Sequence, residues 1–444
     1  MTDLNRLDQD QPHHLHPPGE EFSVDPVPDK ETVNGLHVAL VLIGIAITIP
    51  AFLTGSQLGL AMGLNDVAIA IPIGAAFLCV IGCLAATIAA QSRLTTYMII
   101  QFCFGTKGAK LVNLVISITI FGWFTVTAAF FGESIQQAIK DIWGVSGGVA
   151  GNLSLLIIMG SLLVIATTVF GFKAIDKLAQ LAVPLLFAAL IWLVYLALED
   201  ASLADLQSYS SNAMTLGQGI TAVIGGFIVG AVILPDYCRY VRNTRHGLFA
   251  SILHFGIAYP LILFMLAVVA IHSGEKNFIN IMTGMGLGVI GLLVLIFATW
   301  TTNTGNLYSN ALVLKTIFTG VPQWMIVVAA GLLGTLLAIS GIASYFIDFL
   351  IFLGISIPPI AGIYIADYFF VHNRNYEVAN LNKQPAIAYP AFIAWLIASV
   401  VAWLTTNDFF TLTSIPACDA IVVAFILYLV DNKLMGSGRR IAST

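Results

Sequence analysis

From residue 36 to residue 431 the chain repeats one pattern, a long apolar run followed by a short interval rich in charged residues, Gly, Pro or Asn. The runs fall at 36–63, 66–92, 109–138, 150–171, 175–198, 217–238, 247–272, 285–312, 323–340, 343–368, 386–405 and 414–431. A bilayer core roughly 30 Å thick needs about 20 apolar residues per helical crossing. The pattern therefore predicts an all-α membrane protein with twelve transmembrane helices. The shortest interval, at Ser340 and Gly341, separates the ninth run from the tenth.

Basic residues orient this arrangement, because Lys and Arg accumulate in cytoplasmic loops. With the N-terminus inside, fourteen of the 18 basic residues fall on cytoplasmic connections or the C-terminal tail: Arg93, Lys107, Lys110, Lys173, Lys177, Arg239, Arg242, Arg245, Lys315, Arg374, Lys383, Lys433, Arg439 and Arg440. The external connections hold Lys140 and Lys276, and the N-terminal tail Arg6 and Lys30. Both termini are expected in the cytoplasm, in a multi-pass cell-membrane protein. Tyr237, Tyr240, Tyr364 and Tyr368 are expected as interfacial rings at the inner membrane surface.

Composition agrees: 58% of the residues are hydrophobic and 9% charged, against about 25% charged in soluble domains. The net charge of -5 gives no sign of nucleic-acid binding. Cys79, Cys83, Cys103, Cys238 and Cys418 lack the spacing of a disulfide framework or zinc site and read as core residues. Residues 1–31 are polar, acidic and proline-containing, which predicts a disordered tail rather than a signal peptide; its His13, His14 and His16 read as solvated chain. No H-E-x-x-H pair or G-x-S-x-G elbow occurs in the apolar runs, so an enzyme is not expected.

Polar residues beside backbone-loosening ones mark candidate sites in such a protein. In the first run Pro50, Gly55 and Gly59 surround Thr54, Ser56 and Gln57; in the sixth, Gly225, Gly226 and Gly230 surround Phe227. Freed backbone groups inside a bilayer are tolerated only where protein or a water-filled cavity satisfies them, so paired interruptions predict a binding site. The two runs are five apart, an odd number, so consecutive five-helix units lie in opposite orientations. This gives a tail at 1–31, repeats at 32–198 and 199–370, two further helices at 371–431 and a C-terminal tail at 432–444.

The eighth run carries Trp300-Thr301-Thr302-Asn303-Thr304-Gly305-Asn306-Leu307-Tyr308, the third Gly122-Trp123-Phe124, and the tenth begins its last part with Ile357-Pro358-Pro359 and ends at Asp367-Tyr368. Leu94-Thr95-Thr96 and Phe104-Gly105-Thr106-Lys107-Gly108 follow the second run. In order and spacing these resemble the cytosine permeases of the nucleobase:cation symporter-1 family. The resemblance covers the first ten runs and little of the last two. It implies a leucine-transporter-like fold of 5+5 inverted repeats plus two helices, and a secondary active transporter importing cytosine, a purine or a similar planar heterocycle by alternating access. It also implies a solute site between helices one, three, six, eight and ten, where Trp123 and Phe227 face the two sides of the ring. Na+ would be the coupling ion, held by the hydroxyls of Thr301 and Thr302 and by helix-one carbonyls near Ala51 to Thr54, with H+ as the alternative; no cofactor is implied.

This chain departs from that pattern at Ile120, where cytosine permeases usually have a glutamine, and at Gly226 and Val229, where they have serines. Removing polar groups from a site changes which base edge it reads. Gln57, Asn303 and Asn306 remain as amides suited to ring nitrogens and carbonyls, or to a loosened backbone. Asp236 and Asp367 lie near the inner ends of their runs, where an ion pair with Arg239 or Arg242 is expected; Glu133 and Asp348 lie toward the outer ends. A hydantoin, a vitamin-precursor heterocycle or an amino acid are alternative solutes of the same fold, and a passive channel would not need a joined cation site.

Overall fold

The computed structural model describes residues 22, 25–200, 202–275, 278–284, 288–345, 352, 353, 355–407 and 409–441. Twelve labels cover its longer apolar helices. α1 has two halves, Gly35–Ala46 and Ile49–Met62. It is followed by α2 (Leu64–Ser92), α3 (Gly108–Trp143), α4 (Leu153–Thr168) and α5 (Phe172–Asp200). α6 comprises Leu216–Gly225 and Ile228–Val232, and then come α7 (Thr244–Ser273), α8 (Gly288–Ile317) and α9 (Gln323–Ile339). α10 (Pro358–Val371), α11 (Tyr389–Thr406) and α12 (Pro416–Ile441) complete the series. Six of these are long and apolar enough to cross a bilayer unaided, or seven if the bent halves of α1 count as one span. Among the described residues the β structure is limited to isolated bridges.

Helix ends follow local chemistry. Asn34, Thr95, Asn152 and Thr215 cap the helices they precede by accepting an amide N–H three residues on. α9 stops at Ile339, and Gly341 follows with φ +85°, a conformation that glycine adopts without steric cost. α12 continues to Ile441, through most of the segment expected as a tail. Asp348 and residues 1–21, with the three tail histidines, lie outside the described residues.

The end of the expected N-terminal tail is not loose. Val27 is buried and donates its amide to the Arg93 carbonyl, Val33 pairs with the backbone of Tyr240 and Arg242, and Asp29 and Glu31 pair with Arg93 and Lys173. Arg239, fully buried, donates to the Phe22 carbonyl and to the hydroxyls of Tyr240 and Tyr308. Phe22 and residues 25–34 thus strap together the ends of α2 and α5 and the segment between α6 and α7. At the same end the His37 Nδ1 lies 3.0 Å from the Asp176 carboxylate and 3.0 Å from the Gln180 amide nitrogen, across α1 and α5.

α3 and α8 are joined along their length by amides. Asn113 donates to Thr316, Asn310 to the carbonyl and hydroxyl of Ser117, and Asn303 to the Phe124 carbonyl. Residue numbers rise on one helix as they fall on the other, so the two helices run antiparallel. A polar group buried without a partner costs free energy, so these pairs fix the register of the two helices.

Candidate functional site

α1 bends by 67° between its halves. The break lies at Ile47 and Thr48, where the backbone is extended, and not at the Pro50 to Gly59 stretch that the sequence suggests. Proline is tolerated in the first turn of a helix, where its missing N–H is not needed. Pro50 therefore starts the second half instead of interrupting it. Gly55 and Gly59 serve close packing: a Cβ on them would lie 2.7 Å from the Leu263 carbonyl and 2.6 Å from the Ala267 carbonyl of α7.

α6 breaks where expected. Its first half ends at Gly225, Phe227 leaves the helical conformation with φ -139° and ψ 9°, and its amide turns to Ile224. The Val223 carbonyl that Phe227 would have bonded in a continuous helix accepts the Tyr259 hydroxyl from α7 at 3.0 Å. Further along, Tyr364 of α10 donates to the Val232 carbonyl at 3.2 Å. A Cβ at Gly226 would lie 2.7 Å from the Tyr259 oxygen, so a larger residue there would have to displace that hydroxyl.

Opposite the α1 break stand Thr301 and Thr302 of α8. The Thr301 hydroxyl lies 2.7 Å from the Gly44 carbonyl, 2.9 Å from that of Phe297 and 3.0 Å from that of Ala298. The Thr302 hydroxyl lies 3.0 Å from the Ile45 carbonyl and 3.4 Å from that of Ile47. A hydroxyl has one proton to donate. The Phe297 and Ala298 carbonyls belong to the preceding turn of α8, so across the interface two hydroxyl protons face three α1 carbonyl oxygens, a grouping of oxygen atoms that suits a hard cation. The carbonyls facing the threonines are those of Gly44, Ile45 and Ile47; Ala51 and Thr54 lie beyond the bend, and Thr54 donates to its own Pro50 carbonyl. The α1 carbonyls that face the threonines are therefore not those expected near Ala51 to Thr54, because the helix opens one turn earlier than Pro50 implies.

The remaining site residues divide. Trp123 is half-buried on α3, with Phe124 buried beside it and Ile120, one turn before it, 1% exposed. Asn303 binds the Phe124 carbonyl and Asn306, half-buried, donates to the Asn303 side-chain oxygen at 3.4 Å. Asn303 is thereby committed to the backbone beside Trp123, while Asn306 lies at the edge of this pair. Gln57 is exposed, well past the α1 bend, and does not join the α8 amides. The half-buried Phe227 ring packs on α7, with centroids 5.0 Å from His254, 5.1 Å from Tyr259 and 5.9 Å from Phe255. Sequence reasoning missed Thr127, one turn after Trp123, whose buried hydroxyl has no partner, and Ala298, whose carbonyl is a backbone group invisible to side-chain motifs.

The acidic residues have structural partners. Asp236 accepts the Thr96 amide at 2.8 Å, and Asp367 takes the hydroxyls of Tyr376 and Tyr428 and lies 3.0 Å from His372. Glu133 is exposed on α3.

The family model for permeases for cytosine/purines, uracil, thiamine and allantoin matches residues 26–430. The chain belongs to this permease family. It is a multi-pass membrane transporter and not an enzyme. The permease is 27% identical over 426 residues to the cytosine permease of Escherichia coli K12, covering 95% of this chain and 97% of that protein. It is 24% identical to the hydantoin permease of Microbacterium maritypicum, with 90% and 86% covered. Its fold matches a nucleobase-cation-symport-1 family transporter, solved closed with bromovinylhydantoin bound, at a TM-score of 0.80 and 20% identity over 96% of each chain. The permease thus has the expected all-α inverted-repeat transporter fold.

Proposed function

We propose that this permease is a secondary active symporter that imports a nucleobase or related planar heterocycle with a cation. The observation that carries the reading is the group of α1-break carbonyls, those of Gly44, Ile45 and Ile47, around the Thr301 and Thr302 hydroxyls, a few residues from the Asn303 amide that reaches the backbone beside Trp123. Na+ bound among these oxygens would join α1 to α8 and hold the bend open toward the solute. Oxygen ligands suit such a hard cation.

In this reading Trp123 and Phe227 provide the aromatic faces, and Asn306 with Thr127 the polar edge. The chain crosses the membrane twelve times with both termini in the cytoplasm, which the distribution of basic residues supports. Inward opening then requires the strap of residues 25–34 and the His37–Asp176 contact to release.

The test is a thermal-shift screen of purified protein against cytosine, uracil, hypoxanthine, hydantoin and allantoin, in sodium and in choline buffer. A ligand that binds only the folded state raises the melting temperature. The expected result is a shift with a heterocycle that grows with sodium; stabilisation by amino acids alone would refute the reading.

A further inference from the structure

α7 contains a wide turn at Ile252–Ala258, where the Tyr259 amide bonds back five residues to the His254 carbonyl. Pro260 explains it: proline lacks the N–H that would bond the Gly256 carbonyl, and its ring presses on that carbonyl. Wide turns of this kind occur mostly as single insertions and often at functional sites. In an ordinary α-helix residues five apart point about 140° away from each other. The wide turn instead brings His254 and Tyr259 to one side, and with Phe255 they form a shelf of three rings under Phe227.

His254 is the unusual member. It is fully buried, neither ring nitrogen has a hydrogen-bond partner, and its ring meets Phe227 at 65° and Phe255 at 66°. A charged imidazole without a partner is strongly disfavoured in such an interior. The ring is therefore neutral and acts as an aromatic. From the other side Phe227 is confined by Gly230, where a Cβ would lie 2.5 Å from its ring.

We infer that His254 is a positioning residue for the solute site: its ring sets the orientation of Phe227 at the α6 break, and through it the affinity for the planar solute. This rests on the proposed function only in taking Phe227 as a solute-facing ring. Edge-to-face ring pairs are geometrically specific and contribute modestly beyond their buried area. Replacing the shelf ring by an aliphatic group of similar size should loosen Phe227 without emptying the space beneath it.

The test compares His254→Leu with His254→Phe in the full-length protein. With 4-fluorophenylalanine at position 227, the fluorine resonance reports ring mobility without any solute. It should broaden or split in His254→Leu and return to the native form in His254→Phe. Uptake measured in turn with cytosine, uracil, hypoxanthine, hydantoin and allantoin should show, for each one carried, KM raised roughly 3- to 10-fold in His254→Leu, restored in His254→Phe, with kcat and the pH profile unchanged. A native fluorine spectrum in His254→Leu overturns the inference, as does His254→Phe behaving like His254→Leu. A perturbed spectrum in a protein that binds none of the heterocycles would instead refute the proposed function and leave the ring contact standing.

Discussion

The Thr301 hydroxyl lies 2.7 Å from the Gly44 carbonyl, across the interface between α8 and the first half of α1. Thr302 makes the matching approach to Ile45 and Ile47. Valine keeps the shape of threonine but removes its oxygen, so Thr301→Val with Thr302→Val should abolish sodium dependence and spare the aromatic faces. Linkage requires solute and sodium to strengthen each other by one factor, roughly 5- to 150-fold for a usual coupling of about 1–3 kcal/mol. Solute affinity of native and doubly substituted protein, measured at fixed pH with choline replacing sodium, checks this. Native binding indifferent to sodium but sensitive to pH would assign the coupling to protons.

Trp123 stands half-buried one turn from the unpartnered Thr127 hydroxyl. Trp123→Ala should weaken solute binding by roughly 1–3 kcal/mol, the range for loss of one stacked base. Equilibrium binding to protein with a native melting temperature decides it, and unchanged affinity would remove Trp123 from the site.

Ile120 occupies the position of a usual glutamine and is 1% exposed. Without that amide, cytosine should be carried poorly and a heterocycle with a less demanding polar edge preferred. Competition by cytosine against the best-bound heterocycle in proteoliposomes measures this directly; tight, saturable cytosine uptake would show that other groups replace the amide.

Tyr259 supplies the hydrogen bond that the α6 break takes from Val223. Tyr259→Phe keeps the ring and leaves that buried carbonyl unpaired, a cost of about 1–3 kcal/mol. The melting temperature should fall while the protein still inserts. An unaltered melting temperature would mean that water or another donor reaches the carbonyl.

Apolar periodicity gave the class and most helix positions within a few residues, although α10 starts only at Pro358 and α12 runs on to Ile441, and glycine and proline marked the interruption of α6, because a bilayer constrains helix length and leaves few ways to satisfy a backbone. Side-chain motifs also led to Thr301, Thr302 and Trp123. Packing decided what they face. Pro50 suggests a break in sequence, yet a proline at a helix start breaks nothing, so the bend sits at Ile47 and Thr48 and the carbonyls that face the threonines are those of Gly44, Ile45 and Ile47. Tyr364 and Tyr368 read as interfacial rings, but both are fully buried, one serving the Val232 carbonyl and the other the Gln91 side chain. The shelf under Phe227 comes from a wide turn that Pro260 forces in another helix. Such relationships join residues far apart in the chain through backbone atoms that every residue shares, and only the tertiary structure decides which of them meet.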